Sequence, residues 1–143
     1  MKRLTLLICS LLFSINVFAE EFIISDEYVR ATPPHSKNSA AFLTIENNTD
    51  KDIKLVAAST SISDRAELHS HTKVDGMMQM REVEDILIKA NSEMKLQPGG
   101  FHVMFLGLKN DLTEGETAEF TLYFDNGDEV KIDAPIQKIS VEH

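Results

Sequence analysis

The chain has 143 residues, 14 basic and 23 acidic side chains, a formal charge of −9 and a single cysteine. That length suits one domain with an ordinary hydrophobic core. The negative charge disfavours nucleic acid and anionic lipid as partners; it reads first as a means of keeping a small protein soluble, and alternatively as a field that attracts cations or a basic docking partner. One cysteine excludes both a disulfide framework and a multi-thiolate metal site.

Met1-Lys2-Arg3, the apolar run Leu4 to Phe18, and Val17-Phe18-Ala19 ahead of Glu20-Glu21 form the pattern of a cleavable secretory signal peptide over residues 1–19. The run is shorter than the roughly 20 apolar residues of a membrane-spanning helix. Cys9 lies inside it, too early for a lipoprotein cleavage site, so the expected mature chain, residues 20–143, is an exported single domain without cysteine. Removing Lys2 and Arg3 leaves 12 basic against 23 acidic residues, a charge of −11.

Short runs of period two follow: Phe22-Ile24, Ala40-Ile45, Ile53-Ala58, Ala66-His71, Ile86-Ile88, Glu93-Leu96, Phe101-Leu106, Glu119-Phe124 and Glu129-Ile132. Turn residues separate them, at Asn47-Asn48-Thr49-Asp50, Pro98-Gly99-Gly100 and Asp125-Asn126-Gly127-Asp128, the last reading as a hairpin because Asn-Gly accepts positive φ. Pro33 to Asn38 reads as an exposed loop. Many short strands without a long amphipathic helix, an internal repeat or a linker predict an all-β, antiparallel Greek-key β-sandwich.

Leaving Met1 aside, eight of the five histidines and five methionines lie between His69 and Met104: His69, His71, Met77, Met78, Met80, Met94, His102 and Met104. Residues two apart on a strand share a face. His102 and Met104 therefore project together, opposite the core-forming Phe101, Val103 and Phe105. Glu67, His69 and His71 alternate with Ala66, Leu68 and Ser70, which puts two imidazoles on the polar side of that strand as candidates for an exposed site. Met78 and Met80 share a face if their segment is a strand, although Gly76 and the adjacent methionines fit a bend equally well. Met94 alternates with Glu93 and Lys95 and reads as core. Met77 and Met78 stay open between spare ligands, packing residues and a flexible rim, with packing favoured for at least one.

Imidazole suits several first-row metals, but thioether sulfur is a soft donor that calcium and magnesium ignore and zinc seldom recruits. The set selects copper, above all Cu(I). Unlike paired thiols, thioethers do not form disulfides in an oxidising compartment. They carry no proton, so only the histidines make affinity fall as pH drops, and oxidation to sulfoxide is the remaining liability.

The stretch from His69 to Met104 resembles the periplasmic copper chaperone family PCuAC, whose motif is His, ten residues, Met, twenty-one residues, His-x-Met. Ten residues separate His69 from Met80, twenty-one separate Met80 from His102, and His102-Val103-Met104 closes the pattern. The likeness continues through Glu67-Leu68-His69, Leu96-Gln97-Pro98-Gly99-Gly100-Phe101-His102, Gly107-Leu108-Lys109, Leu112-Thr113-Glu114-Gly115-Glu116 and Phe120-Thr121-Leu122, most of the mature chain. The resemblance implies a cupredoxin-like sandwich, a solvent-accessible Cu(I) site at His69, Met80, His102 and Met104, and transfer of copper to cytochrome c oxidase subunits, their assembly factors or other periplasmic acceptors. Two positions depart from the family. His71 stands where many members have Met, adding a donor for Cu(II) or sitting at the rim, and the chain stops at His143 with little of the His- and Met-rich tail that would supply a second site.

These readings describe a monomeric, non-enzymatic metallochaperone that holds one copper ion and releases it by ligand exchange. A copper-storage, resistance or uptake protein would use the same site for another destination. A blue-copper protein needs a cysteine thiolate, and no nucleophile and base constellation supports a hydrolase. An interaction module with accidental methionines predicts no copper affinity. Met80→Ala and His102→Ala are both expected to weaken Cu(I) binding and, as ligands on an exposed face, to leave the fold intact.

Overall fold

The computed structural model describes residues 21–139; the signal-peptide reading and the last four residues lie outside the described residues. The described residues form ten strands and no helix: β1 (Phe22–Arg30), β2 (Asn38–Asn47), β3 (Ile53–Thr60), β4 (Ser63–Val74), β5 (Met77–Glu82), β6 (Ile86–Ile88), β7 (Ser92–Leu96), β8 (His102–Leu108), β9 (Thr117–Phe124) and β10 (Glu129–Gln137). Each of the nine expected runs falls in a strand, except that Phe101 lies one residue ahead of β8, and β5 is the segment whose sequence fits strand and bend alike. β1 runs further than its apolar residues suggest, because a register shift between Ser25 and Tyr28, with Asp26 at φ 54°, absorbs the charged pair in a bulge. The Pro33 loop is present, although Asn38 already opens β2 by pairing with Leu106.

The strands lie in the order β5-β4-β8-β2-β1-β10-β9-β3-β6, with β7 also on β2. Every pairing is antiparallel except β1 with β10, which run parallel through Val29↔Ile136 and Arg30↔Gln137. The expected antiparallel sandwich therefore carries one parallel seam, where its first and last strands meet. The path folds into two layers, β5-β4-β8-β2-β1 against β10-β9-β3-β6. Phe105 on β8 packs edge-on against Phe120 on β9 with ring centroids 5.6 Å apart, although these strands are not sheet neighbours.

Period-two alternation decides what enters the space between the layers. On β9, Ala118, Phe120, Leu122 and Phe124 are buried while Glu119, Thr121 and Tyr123 point away. Val103 and Phe105 do the same from β8, and with Leu43, Ile45, Leu55, Ile86 and Ile88 they belong to one continuous core. Each such side chain contributes roughly 1.5–3 kcal/mol by leaving water. The Asp125 to Asp128 hairpin joins β9 to β10 as expected, but only Gly127 takes positive φ (89°), while the Asn126 side chain holds Asp128.

Candidate metal centre

Because Val103 and Phe105 are committed to the core, His102 and Met104 face the other way. The pairings His69↔His102, Glu67↔Met104 and Ala40↔Met104 place these residues on one outer face, since opposed residues of an antiparallel ladder project to the same side. β5 joins them through the Val74-Asp75-Gly76-Met77 hairpin, where Asp75 and Gly76 adopt φ of 51° and 79° as a two-residue type I′ loop requires. All six β5 residues are exposed, so burial does not hold its register and the turn sets it. The outcome is His71↔Met80 and Lys73↔Met78. All five candidate donors, His69, His71, Met80, His102 and Met104, thus meet on one face.

A break in the neighbouring ladder supplies a second-layer contact. β7 and β8 both pair with β2, and between them Gln97-Pro98-Gly99-Gly100 leaves the sheet as a type II turn, with Gly99 at φ 84° and the Gly100 N–H donating to the Gln97 carbonyl at 2.9 Å. The Gly100 carbonyl accepts from His102 Nδ1 at 3.1 Å and from the His71 backbone N–H at 3.4 Å. A carbonyl only accepts, so Nδ1 of His102 carries the hydrogen and Nε2 keeps its lone pair. Burial depresses the His102 pKa below the ordinary imidazole value; the Gly100 hydrogen bond opposes this, and His71, His69 and Arg30 add to it electrostatically. The ring is thereby kept neutral, as a metal donor must be.

His69 is oriented differently. Its Nε2 donates to Glu67 Oε2 at 2.8 Å, and Arg65 Nη1 holds the other carboxylate oxygen at 2.9 Å. The remaining nitrogen, Nδ1, is buried without a hydrogen-bond partner, as is Nδ1 of His71. A buried orphan acceptor ordinarily costs about 1–3 kcal/mol. Two of them beside a third imidazole and two thioethers fit a soft metal ion. His102 lies between the other imidazoles, with ring centroids 5.8 Å from His69 and 5.2 Å from His71. Among the described residues no group of three or more His, Cys, Asp or Glu is arranged to hold a metal ion. A site here therefore depends on sulfur.

A pocket of about 230 Å³ opens at this face, lined by His71, Met80, His102 and Met104 with Arg30 and Phe42 at its side. Met80 is 44% exposed, whereas His102 is only 2% exposed and packs on Phe42 with centroids 6.1 Å apart. The expectation of a uniformly exposed ligand face is thus corrected: the turn, Phe42 and the flanking imidazoles cover His102. Met77 and Met78 are 69% and 59% exposed, so neither is a packing residue, while Met94 packs against the core as read. Glu67 is the partner that sequence reasoning passed over, although the alternation that aligns the imidazoles also puts this carboxylate on their face. Nothing in the sequence pattern singles out Phe42 or the Gly100 carbonyl.

The fold and this donor face define a cupredoxin-like domain of the PCuAC type. The chain superposes on the apo PCuAC domain from PmoF1 with a TM-score of 0.71 and 29% identity, covering 83% of this chain and 95% of that one. It matches apo-DR1885 from Deinococcus radiodurans with a TM-score of 0.65 and 35% identity over 85% and 81% of the two chains, and the Cu(I) form of DR1885 with 0.65 and 37% over 78% and 75%. The family described as "Putative lipoprotein LpqE-like" matches residues 23–136, and the chain belongs to it. Among curated relatives, "Putative lipoprotein Lxx21020" of Leifsonia xyli subsp. xyli is 30% identical over 82% of this chain and 70% of its own length. "Uncharacterized protein RP573" of Rickettsia prowazekii is 31% identical over 71% of this chain and 60% of its own.

Proposed function

We propose that this chain is an exported copper metallochaperone that holds one Cu(I) through His69, Met80, His102 and Met104 and passes it to an acceptor such as the Cu(A) centre of cytochrome c oxidase. The observation that carries this reading is the meeting of two thioethers with imidazoles whose nitrogens lack hydrogen-bond partners, on a face open at Met80 and closed at His102. The related protein DR1885 is known in a Cu(I) form, which supports copper as cargo. No helix of the described residues is long and apolar enough to cross a membrane, and the amino-terminal pattern supports export.

Mechanistically, the buried His102 anchors the ion while Met80, on a strand exposed on both faces, is the donor that an incoming ligand reaches first. Neutral thioethers bind without losing a proton, so they also leave without needing one. An acceptor's ligands replace them stepwise, and the ion never enters bulk water. The test is an anaerobic Cu(I) competition titration of residues 20–143 against a coloured chelator, with zinc in parallel, followed by mixing with an apo Cu(A) domain. One tight Cu(I) equivalent, weak zinc binding and transfer to the acceptor are expected. Failure to compete for Cu(I) sinks the reading, and tight binding without transfer leaves storage, resistance or uptake as the use of the site.

A further inference from the structure

We propose that His71 is a working copper ligand that alternates with His69, so that the site carries two interchangeable imidazoles. The inference rests on the Cu(I) reading above and deepens it. The pocket face is built by His71, Met80, His102 and Met104, with His71 standing where His69 was expected. The His71 ring is 5.2 Å from His102, nearer than His69 at 5.8 Å, and His71 is the cross-strand partner of Met80. Its backbone N–H and His102 Nδ1 share the Gly100 carbonyl, which ties the two imidazole-bearing residues to one atom. Its Nδ1 is buried without a partner.

His69, by contrast, is held on Glu67, which is itself held on Arg65. The two histidines are two residues apart on β4, about 6.4–6.8 Å along the strand, and flank His102. Among the described residues the three imidazoles form no preformed metal-binding group; His69 is engaged by Glu67 while His71 lines the pocket, so the two serve as alternatives rather than simultaneous ligands. Either one completes a set with His102 and the thioethers. A spare imidazole keeps the cargo coordinated while an acceptor displaces its twin.

The experiment compares anaerobic Cu(I) affinities of the wild type, His69→Phe, His71→Phe and the double variant, phenylalanine preserving ring volume without a donor. Circular dichroism checks the folds, and ¹⁵N-resolved imidazole spectra of the wild type are recorded before and after loading. Interchangeable ligands predict a loss of about tenfold or less in each single variant, a double-variant loss well beyond the product of the singles, and a shift of a His71 ring nitrogen on loading. A His71→Phe variant that binds as the wild type does, with an unmoved His71 ring signal, overturns the inference while leaving the Cu(I) reading intact. The spectra of the wild type decide the matter even if a variant fails to fold. A wild type that takes no Cu(I) overturns both.

Discussion

His102 and Met80 do different work although both belong to the same proposed donor set. Met80 is half in solvent on an edge strand, so Met80→Ala is expected to leave unfolding free energy within about 0.5 kcal/mol of wild type while weakening Cu(I) binding by at least about tenfold, the equivalent of 1.4 kcal/mol. His102 is buried against Phe42 and tied to Gly100. Its replacement by Ala should cost about 2 kcal/mol of stability in addition to copper affinity. Urea unfolding of both apo variants checks the contrast, and equal stabilities would refute the packing role of His102. The same burial gives the copper-free protein a pH dependence. The folded-state pKa of His102 is depressed below 6.5, so the unfolded chain binds this proton more readily than the folded one. The contribution of His102 to stability is complete above pH 6.5 and is lost as pH falls through the folded-state value. Urea midpoints of wild type and His102→Ala, measured from pH 7.5 downward, should converge on the acid side; a constant gap would rule this linkage out.

At the level of elements, the β4–β5 hairpin decides whether a site exists. A one-residue slip moves every β5 side chain to the opposite face, and within β5 itself nothing buried resists it. Asp75-Gly76 therefore carries the register, as a type I′ turn with both central residues at positive φ. No atom lies within 4 Å of a Cβ added at Gly76, so the strain of a substitution there is conformational. Gly76→Val should cost about 1–2 kcal/mol through its left-handed backbone and lower Cu(I) affinity by loosening the His71↔Met80 pairing. The amide exchange rates of Met78 and Met80 report on the hairpin directly, and unchanged exchange with unchanged affinity would show that another contact holds β5. This element was half legible: the alternation of Met78 and Met80 was visible, and Asp-Gly between Val74 and Met77 is a hairpin signal, but a fully exposed strand has no apolar pattern to separate it from a bend.

Across the whole molecule, a rigid two-layer core presents a donor face that uses none of the core's residues. β8 makes the division, sending Val103 and Phe105 inward and His102 and Met104 outward. Phe105 meets Phe120 across the layers, and Phe105→Ala should cost about 3–5 kcal/mol through the cavity it leaves. Because the proposed site sits on the back of β8, Cu(I) affinity of the folded fraction should change far less than stability does. Chemical denaturation with a parallel copper titration at low temperature distinguishes the two, and a loss of affinity as large as the loss of stability would mean that core and site are not separable. The parallel β1–β10 seam and the two-layer closure were not legible, because both depend on contacts between the ends of the chain that no local period encodes.

The sequence by itself determined which side chains face one another within a strand, since a period of two follows from backbone geometry alone. It thereby determined the all-β class, the outward pairs His102 with Met104 and His69 with His71, and the soft chemistry of the candidate donors. Tertiary structure alone decided that β5 lies beside β4 rather than bending away, that Phe42 and a type II turn close over His102, and that Glu67 holds His69 while His71 lines the pocket. The closure over His102 depends on Phe42, far away in the chain, and only the closed sandwich sets that distance; the β5 and Glu67 outcomes are local, but an exposed alternation does not say which neighbour each side chain meets.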